Sequence, residues 1–210
     1  LGPSFKYVRW TVNELIAQAF LTSLELGALS LVVAILLGLI LGVIAALKKN
    51  TALDYFSMSI AMAGICMPTF VMGPLLVLFF GLYLEWFNPL GWEHWSDRVL
   101  PALTLGIYYA AYIARLTRSG ILEILNSDYI RTARAKGLAE TVVLYRHTLK
   151  NALIPVITIT AISFAYALEG SVAIQFIFSL PGLGSLMLDA LTSNDYPLIQ
   201  GITFVAANIF

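Results

Sequence analysis

Charge and sulfur are what this chain has least of. Only 11% of its 210 residues are Asp, Glu, Lys or Arg, whereas 60% are hydrophobic; soluble globular domains carry about 25% charged residues. A water-soluble domain is therefore not expected. The 12 basic and 12 acidic residues cancel, so no overall field draws the chain to nucleic acid, and the information lies in where the charges sit. The single cysteine, Cys66, excludes a disulfide framework, and its apolar surroundings predict a buried, inert thiol. No Gly-x-x-x-x-Gly-Lys-Ser/Thr loop is present to cradle a nucleotide phosphate. The two histidines, His94 and His147, fall in different inter-span loops and so share no metal or catalytic centre. The spans also lack the histidine of an intramembrane serine protease and the aspartate pair of an aspartyl protease. No enzymatic activity is expected.

Long apolar runs dominate what is present. Thr22 to Leu47 carries fifteen Leu, Ile and Val residues and one charge, Glu25, near its start. At roughly −0.3 to −0.6 kcal/mol each for insertion, the aliphatic residues outweigh that acid. Ser57 to Leu84 has no charge over 28 residues and is interrupted by Pro68 and Pro74; neighbouring helices can satisfy the backbone groups that proline frees. Val99 to about Leu116 follows, with Arg115 placed to snorkel. Asn151 to Phe178 forms a fourth span with Glu169 inside it, and Tyr196 to Phe210 begins a fifth. Barrel-type alternation is absent. The expected fold is all-α, a polytopic transmembrane helical bundle of five spans.

Cations divide the loops into two kinds. Lys48, Lys49, Arg115, Arg118, Arg131, Arg134, Lys136, Arg146 and Lys150 hold nine of the 12 basic residues, and short cytoplasmic loops retain Lys and Arg. The alternate loops carry Glu85, Glu93, Asp97, Asp189 and Asp195 against Arg98 alone, and these are expected to face outward. Residue 1 then lies outside, and an upstream span is expected to be missing. Within residues 1–20, Thr11 and Glu14 have capping-box spacing, and Val12, Leu15, Ile16 and Ala19 make one stripe. An extracytoplasmic interfacial helix is expected there.

Residues Asp128 to Lys150 concentrate the basic charge and divide at Gly137. Before it, Ala133, Ala135 and Gly137 are small while Arg131, Arg134 and Lys136 are long and cationic. Small side chains let another protein's backbone approach closely, with the long ones pairing around the contact. After it, Leu138, Val142, Tyr145 and Leu149 recur at helical spacing, which predicts one apolar face. Gly137 fits a helix terminus or a sharp bend. Physics alone leaves a second reading open, in which the cations only fix orientation and touch anionic lipid.

"YIRTARAKGL" followed by "RHTLKNALIPV" resembles the cytoplasmic signature of binding-protein-dependent ABC importer permeases of the type I fold. The general signature is Glu-Ala-Ala, three residues, Gly, nine residues, then Ile-x-Leu-Pro. Arg131, Thr132 and Ala133 stand at its first three positions and His147, Thr148, Leu149 and Lys150 at its last four, so only Ala133, Gly137 and Leu149 match. The peptide branch departs in this way and keeps a later proline, here Pro155. "LGPSFKY", "SLELGALSLVVAILLGLILGVIAALKKN", "LPALTLGI", "AYIARLTRSGILEIL" and "PGLGSLMLDALTSNDYPLIQG" are similar to dipeptide and oligopeptide permeases across essentially the whole chain.

The resemblance implies a permease domain over residues 21–210 with a coupling region at 117–150. Arg131, Thr132, Ala133, Arg134, Ala135, Lys136, Gly137 and Leu138 would form a coupling helix seated on a separate ATPase subunit. It implies no cofactor in this chain, ATP and Mg being held by the ATPases. The implied partners are a second homologous permease, two ATP-binding subunits and an extracytoplasmic peptide-binding protein, all in or at a prokaryotic plasma membrane. Glu169, about 27 Å along its helix from Asn151 at 1.5 Å per residue, reads either as a translocation-path residue or as hydrated at the outer interface. Many family members carry a glutamate where this chain has Gln175, a second translocation-path candidate. An ion-coupled secondary transporter, with its site at helices broken near Pro68 and Pro74 and at Glu169, is the alternative.

Overall fold

The structure, a computed structural model, describes residues 2–169 and 172–209, the side chains of Glu169 and Ile209 excepted. Its helices are α1 (Val12–Leu47), α2 (Ala52–Cys66), α3 (Thr69–Leu76), α4 (Val99–Leu125), α5 (Asp128–Ala135), α6 (Glu140–Val142), α7 (Lys150–Ala152), α8 (Ile154–Glu169), α9 (Val172–Ile177), α10 (Leu183–Thr192) and α11 (Tyr196–Ile209). Wide π-helical turns follow α3 over Val77–Tyr83 and α6 over Val143–Leu149. The chain forms two compact units, one of residues 1–30, 68–106 and 164–210, the other of residues 31–67 and 107–163.

In the first unit the amino-terminal segment is not the expected surface helix. Residues 2–11 form an irregular loop closed by an antiparallel bridge between Pro3 and Thr11. The capping box is present: the Thr11 N–H donates to Glu14 Oε2 at 2.8 Å and the Glu14 N–H to Thr11 Oγ1 at 3.4 Å. It starts a helix that runs without interruption to Leu47, because no proline falls within it to break the hydrogen-bond ladder. The stripe is real but buries against protein, with Val12, Ile16 and Ala19 packing on Leu183, Ala190, Leu198 and Ile202.

Two carboxylates clasp that loop onto α10 and the turn after it. Asp189 accepts from Lys6 Nζ at 2.9 Å and Tyr7 Oη at 2.6 Å, and Asp195, fully buried, accepts from Ser4 Oγ and from the Lys6 and Leu198 N–H groups. The Tyr7 and then the Lys6 hydrogen bond hold Asp189 below its usual range. At Asp195 burial pushes upward, and the bonds from Ser4 and the backbone outweigh it to leave the carboxyl lowered. A lowered folded pKa contributes stability above the unfolded value, lost as pH falls through the folded one. Acidification below the usual carboxylate range is thus expected to free residues 2–11, seen as lower amide protection factors there; protection factors independent of acid would contradict it.

The other loop of this unit, residues 84–98, is organised by Asp97 and Arg98. The buried Asp97 carboxylate accepts the N–H groups of Glu93 and His94 at 2.9 and 2.8 Å. Arg98 Nε donates to Glu25 Oε1 at 2.6 Å, and its guanidinium lies 4.8 Å from the Trp92 ring and 5.0 Å from that of Trp95. The one charge of the first span is therefore paired.

Proline breaks the expected second span. Helix α2 ends at Cys66, Met67 is extended (φ −91°, ψ 117°), and Pro68 caps a new helix (φ −58°, ψ 141°), as the steric bar on helical geometry before proline requires. Pro74 lies inside α3 and lacks the N–H that would close its turn. Cys66 is exposed, contrary to the buried thiol predicted, because a helix of this kind turns much of its apolar surface outward from its own chain.

In the second unit, α1 and α4 meet through glycine. A Cβ added at Gly38 would lie 2.6 Å from Ile113 Cγ2, and one at Gly42 would lie 2.6 Å from the Ala114 carbonyl oxygen. Arg118 on α4 clamps Asp54 on α2 through two 2.7 Å bonds, with the Asp54 side chain 2% exposed. Two helices, Val12–Leu47 and the continuous Trp95–Leu125, are long and apolar enough to cross a membrane. The bent pairs Ala52–Cys66 with Thr69–Tyr83 and Glu140–Ala152 with Ile154–Leu168 bring the number to four if each counts as one span. The fifth expected span has 14 residues in α11.

Candidate functional site

The basic segment folds as a self-contained helix, turn and helix within the second unit. Helix α5 ends in a Schellman motif: the Leu138 N–H donates to the Ala133 carbonyl at 3.3 Å and the Gly137 N–H to that of Arg134 at 2.9 Å. This geometry requires a left-handed residue, and Gly137 supplies it with φ +77°. Across the turn, Arg134 Nη2 and Nε bond Glu140 Oε1 and Oε2 at 2.5 and 3.1 Å. Beneath it, Ile130, Ala133 and Val143 form a small buried core with Ile124 packed on it. Asn151 Nδ2 donates to Tyr129 Oη at 3.0 Å and to the His147 carbonyl at 3.3 Å, tying α5 to the following segment. The turn is thus held from above, below and one side.

Most of the predicted coupling residues lie on the surface. Arg131, Thr132, Arg134, Ala135, Lys136, Gly137 and Leu138 are exposed, and nothing lies within 4 Å of a Cβ added at Gly137. Ala133 is the exception, 6% exposed: its small size serves the chain's own packing and offers nothing to a partner. Arg131 pairs with Asp128 at 3.3 Å, and among the described residues no carboxylate pairs with Lys136.

The apolar face predicted after Gly137 is not the buried one. Leu138, Val142 and Tyr145 are 39%, 37% and 69% exposed, whereas Val143 and Thr148 are fully buried. From Val143 on, a π-helical turn displaces the 3.6-residue register, because its hydrogen bonds span five residues rather than four; Leu138 and Val142 lie before it. Thr148 marks it, its hydroxyl donating to the Val143 carbonyl five positions back at 3.1 Å. Sequence reasoning also missed Tyr129, Glu140 and Asn151; the charge complement of Arg134 and Glu140 astride Gly137 was the available signal. At Pro155 the path bends by 42° between Glu140–Ala152 and Ile154–Leu168.

Gln175, the second translocation-path candidate, is held by the chain's own polar groups. It is fully buried in the first unit, where its Nε2 donates to Ser23 Oγ at 3.0 Å and its Oε1 accepts from the Gly184 and Ser185 N–H groups at 2.8 and 3.3 Å. Ser23 Oγ in turn accepts from the Leu183 N–H at 2.9 Å. The amide therefore pins α9 to α1 and to the start of α10. Gln175→Leu is expected to destabilise the protein by about 1–3 kcal/mol, the cost of leaving buried donors unpaired, read as a lower unfolding midpoint in detergent. An unchanged midpoint would contradict this role. Glu169 ends α8, and its side chain lies outside the described residues. An open cleft of about 610 Å³ in the same unit is lined by Gln18, Thr22, Phe176, Ser185 and Asp189 among others.

Long apolar helices broken at proline and a braced, exposed basic turn define a polytopic membrane component of the ABC transporter type I permease fold. The fold is shared with the methionine ABC transporter MetNI in inward-facing form (TM-score 0.76, 17% identity, 93% of this chain and 90% of that one). It is shared also with an amino acid ABC transporter crystallised with histidines (TM-score 0.73, 18% identity, 94% and 88%). Residues 38–210 match the model of the binding-protein-dependent transport system inner membrane component. The chain belongs to that family. It is 43% identical over 206 residues to the oligopeptide transport system permease protein OppB of Salmonella typhimurium (strain LT2), covering 97% of this chain and 67% of that protein. It is 44% identical over 202 residues to the dipeptide transport system permease protein DppB of Bacillus subtilis (strain 168), covering 96% and 66%. The glutathione transport system permease protein GsiC of Escherichia coli O1:K1 / APEC is 43% identical over 192 residues, covering 91% and 63%. The chain is thus a permease subunit of an ABC importer, and the ion-coupled alternative is not favoured.

Proposed function

We propose that this chain conducts short peptides across a prokaryotic plasma membrane, driven by two separate ATPase subunits that grip residues 131–138. The observation that carries this reading is the braced turn at Gly137, an exposed basic element with its own core and cross-links in a permease whose relatives include oligopeptide and dipeptide permeases. Force passes through a rigid element and is lost in a soft one. The grip falls on Arg131, Thr132, Arg134, Ala135, Lys136, Gly137 and Leu138, with Ala133 acting from beneath. ATP and Mg belong to the ATPases, whose closure favours one of two permease states through the difference in nucleotide affinity between them.

The distribution of cations supports a cytoplasmic position for this turn and an extracytoplasmic one for residue 1. A second homologous permease completes the membrane unit, and an extracytoplasmic peptide-binding protein delivers cargo. The test is peptide uptake into vesicles carrying the chain with these partners. Uptake is expected to require ATP and to survive collapse of the ion gradients. Uptake that persists without ATP while the gradients stand would overturn the reading.

A further inference from the structure

The exposed surface of α4 differs in kind from that of α1. On α1 the exposed large side chains include Val32, Leu36, Ile40 and Ile44, a surface suited to hydrocarbon. On α4 the exposed positions are Tyr112, Arg115, Ser119 and Glu123, every one of them polar or charged. Steps of three, four and four residues put them on one helical face. Tyr108 joins them one turn earlier, its hydroxyl 3.3 Å from that of Tyr112. The face is not confined to a helix end, since Tyr112 is the midpoint of the 27-residue Val99–Leu125 helix.

Arg115 sharpens the point. The sequence placed it at the end of a span, free to snorkel, but the helix continues ten residues further to Leu125, a distance of about 15 Å. Its Nη2 instead rests 2.8 Å from Met62 Sδ. A thioether does not neutralise a guanidinium, and among the described residues no carboxylate pairs with it. Ionisable groups within a membrane span face water or a polar partner.

We propose that the α4 face bearing Tyr108, Tyr112, Arg115 and Ser119 lines the water-filled passage, and that Arg115 attracts the C-terminal carboxylate of the peptide cargo. The tyrosines suit a conduit of broad tolerance, because a ring presents apolar area to any side chain and its hydroxyl can bond any backbone. A fixed cation adds the one contact that every peptide with a free C-terminus can make. This inference rests on the peptide-import reading, and its two tests separate the parts.

The first test uses the assembled transporter in proteoliposomes, with Cys66→Ser and one cysteine introduced by Tyr112→Cys, Ser119→Cys or, as control, Leu36→Cys. A cationic, membrane-impermeant methanethiosulfonate is expected to label positions 112 and 119, at rates that change when the ATPases are trapped closed, and to spare position 36. Protection of 112 and 119 in every state would mean that a second permease covers the face, and would overturn the proposal. This readout does not depend on the cargo. The second test compares uptake of one peptide with a free and an amidated C-terminus. Arg115→Gln is expected to lower the free-to-amidated uptake ratio about tenfold, the scale of one charge-assisted hydrogen bond, with Arg115→Lys restoring much of it. An unchanged ratio would overturn the role of Arg115.

Discussion

Replacing Gly137 by valine is expected to collapse ATP-driven uptake while leaving the chain inserted in the membrane. The reason is conformational, since Gly137 sits at φ +77° with open space around it. A Cβ there meets its own backbone, at roughly 1–2 kcal/mol for an ordinary residue and more for a β-branched one. A penalty of one to two kcal/mol shifts a two-state population by a factor of about 5–30. The residue that yields donates one Schellman bond, to Arg134, and precedes Leu138, which donates the other, to Ala133, so the turn opens and the Arg134–Glu140 clamp loses its register. Gly137→Asn is the informative control, because asparagine tolerates the left-handed region and is expected to retain most uptake. Equal loss in both variants would point to steric exclusion of a partner, and full activity of the valine variant would refute the coupling role of the turn.

A second large effect is expected where α1 meets α4. Gly42→Leu would put a Cβ 2.6 Å from the Ala114 carbonyl oxygen and 2.7 Å from Thr117 Cβ, and Gly38→Leu would put one 2.7 Å from Ile113 Cβ. Neither neighbour is the free end of a flexible chain, so the helices must separate. Overpacking of this kind costs about 1–3 kcal/mol per site. With both sites changed, the protein is expected to be recovered at low yield and to unfold early in detergent, whereas Leu36→Phe on the exposed face of α1 is expected to do neither. A double variant as stable as the parent would contradict close packing at this contact.

Much of this architecture is legible in the residues. The capping box at Thr11 and Glu14, the run to Leu47 and the helix stop at Gly137 all follow from local chemistry that no distant contact overrides. What stays hidden is which surface each helix buries. In a soluble protein the apolar face goes inward and a stripe announces it, but here both faces are apolar, and the stripe at Val12, Ile16 and Ala19 reads equally well as a membrane-surface helix. Tyr145 misleads for a second reason, since the expected spacing presumes 3.6 residues per turn and the chain adopts π-helical turns at Val143–Leu149, while Leu138 lies ahead of the helix that begins at Glu140. Gln175 shows a third limit. An amide in an apolar run marks a polar event, and only the fold reveals that the event is an internal knot with Ser23 and Gly184.

The most direct test is a photocrosslinking amino acid placed at Lys136, beside the turn, in the transporter assembled with its ATPase and binding-protein partners. Irradiation is expected to join this chain to an ATPase subunit, in a yield that changes when nucleotide is added. Adducts with lipid alone, or with a protein on the outer face of the membrane, would contradict a turn gripped by the motor.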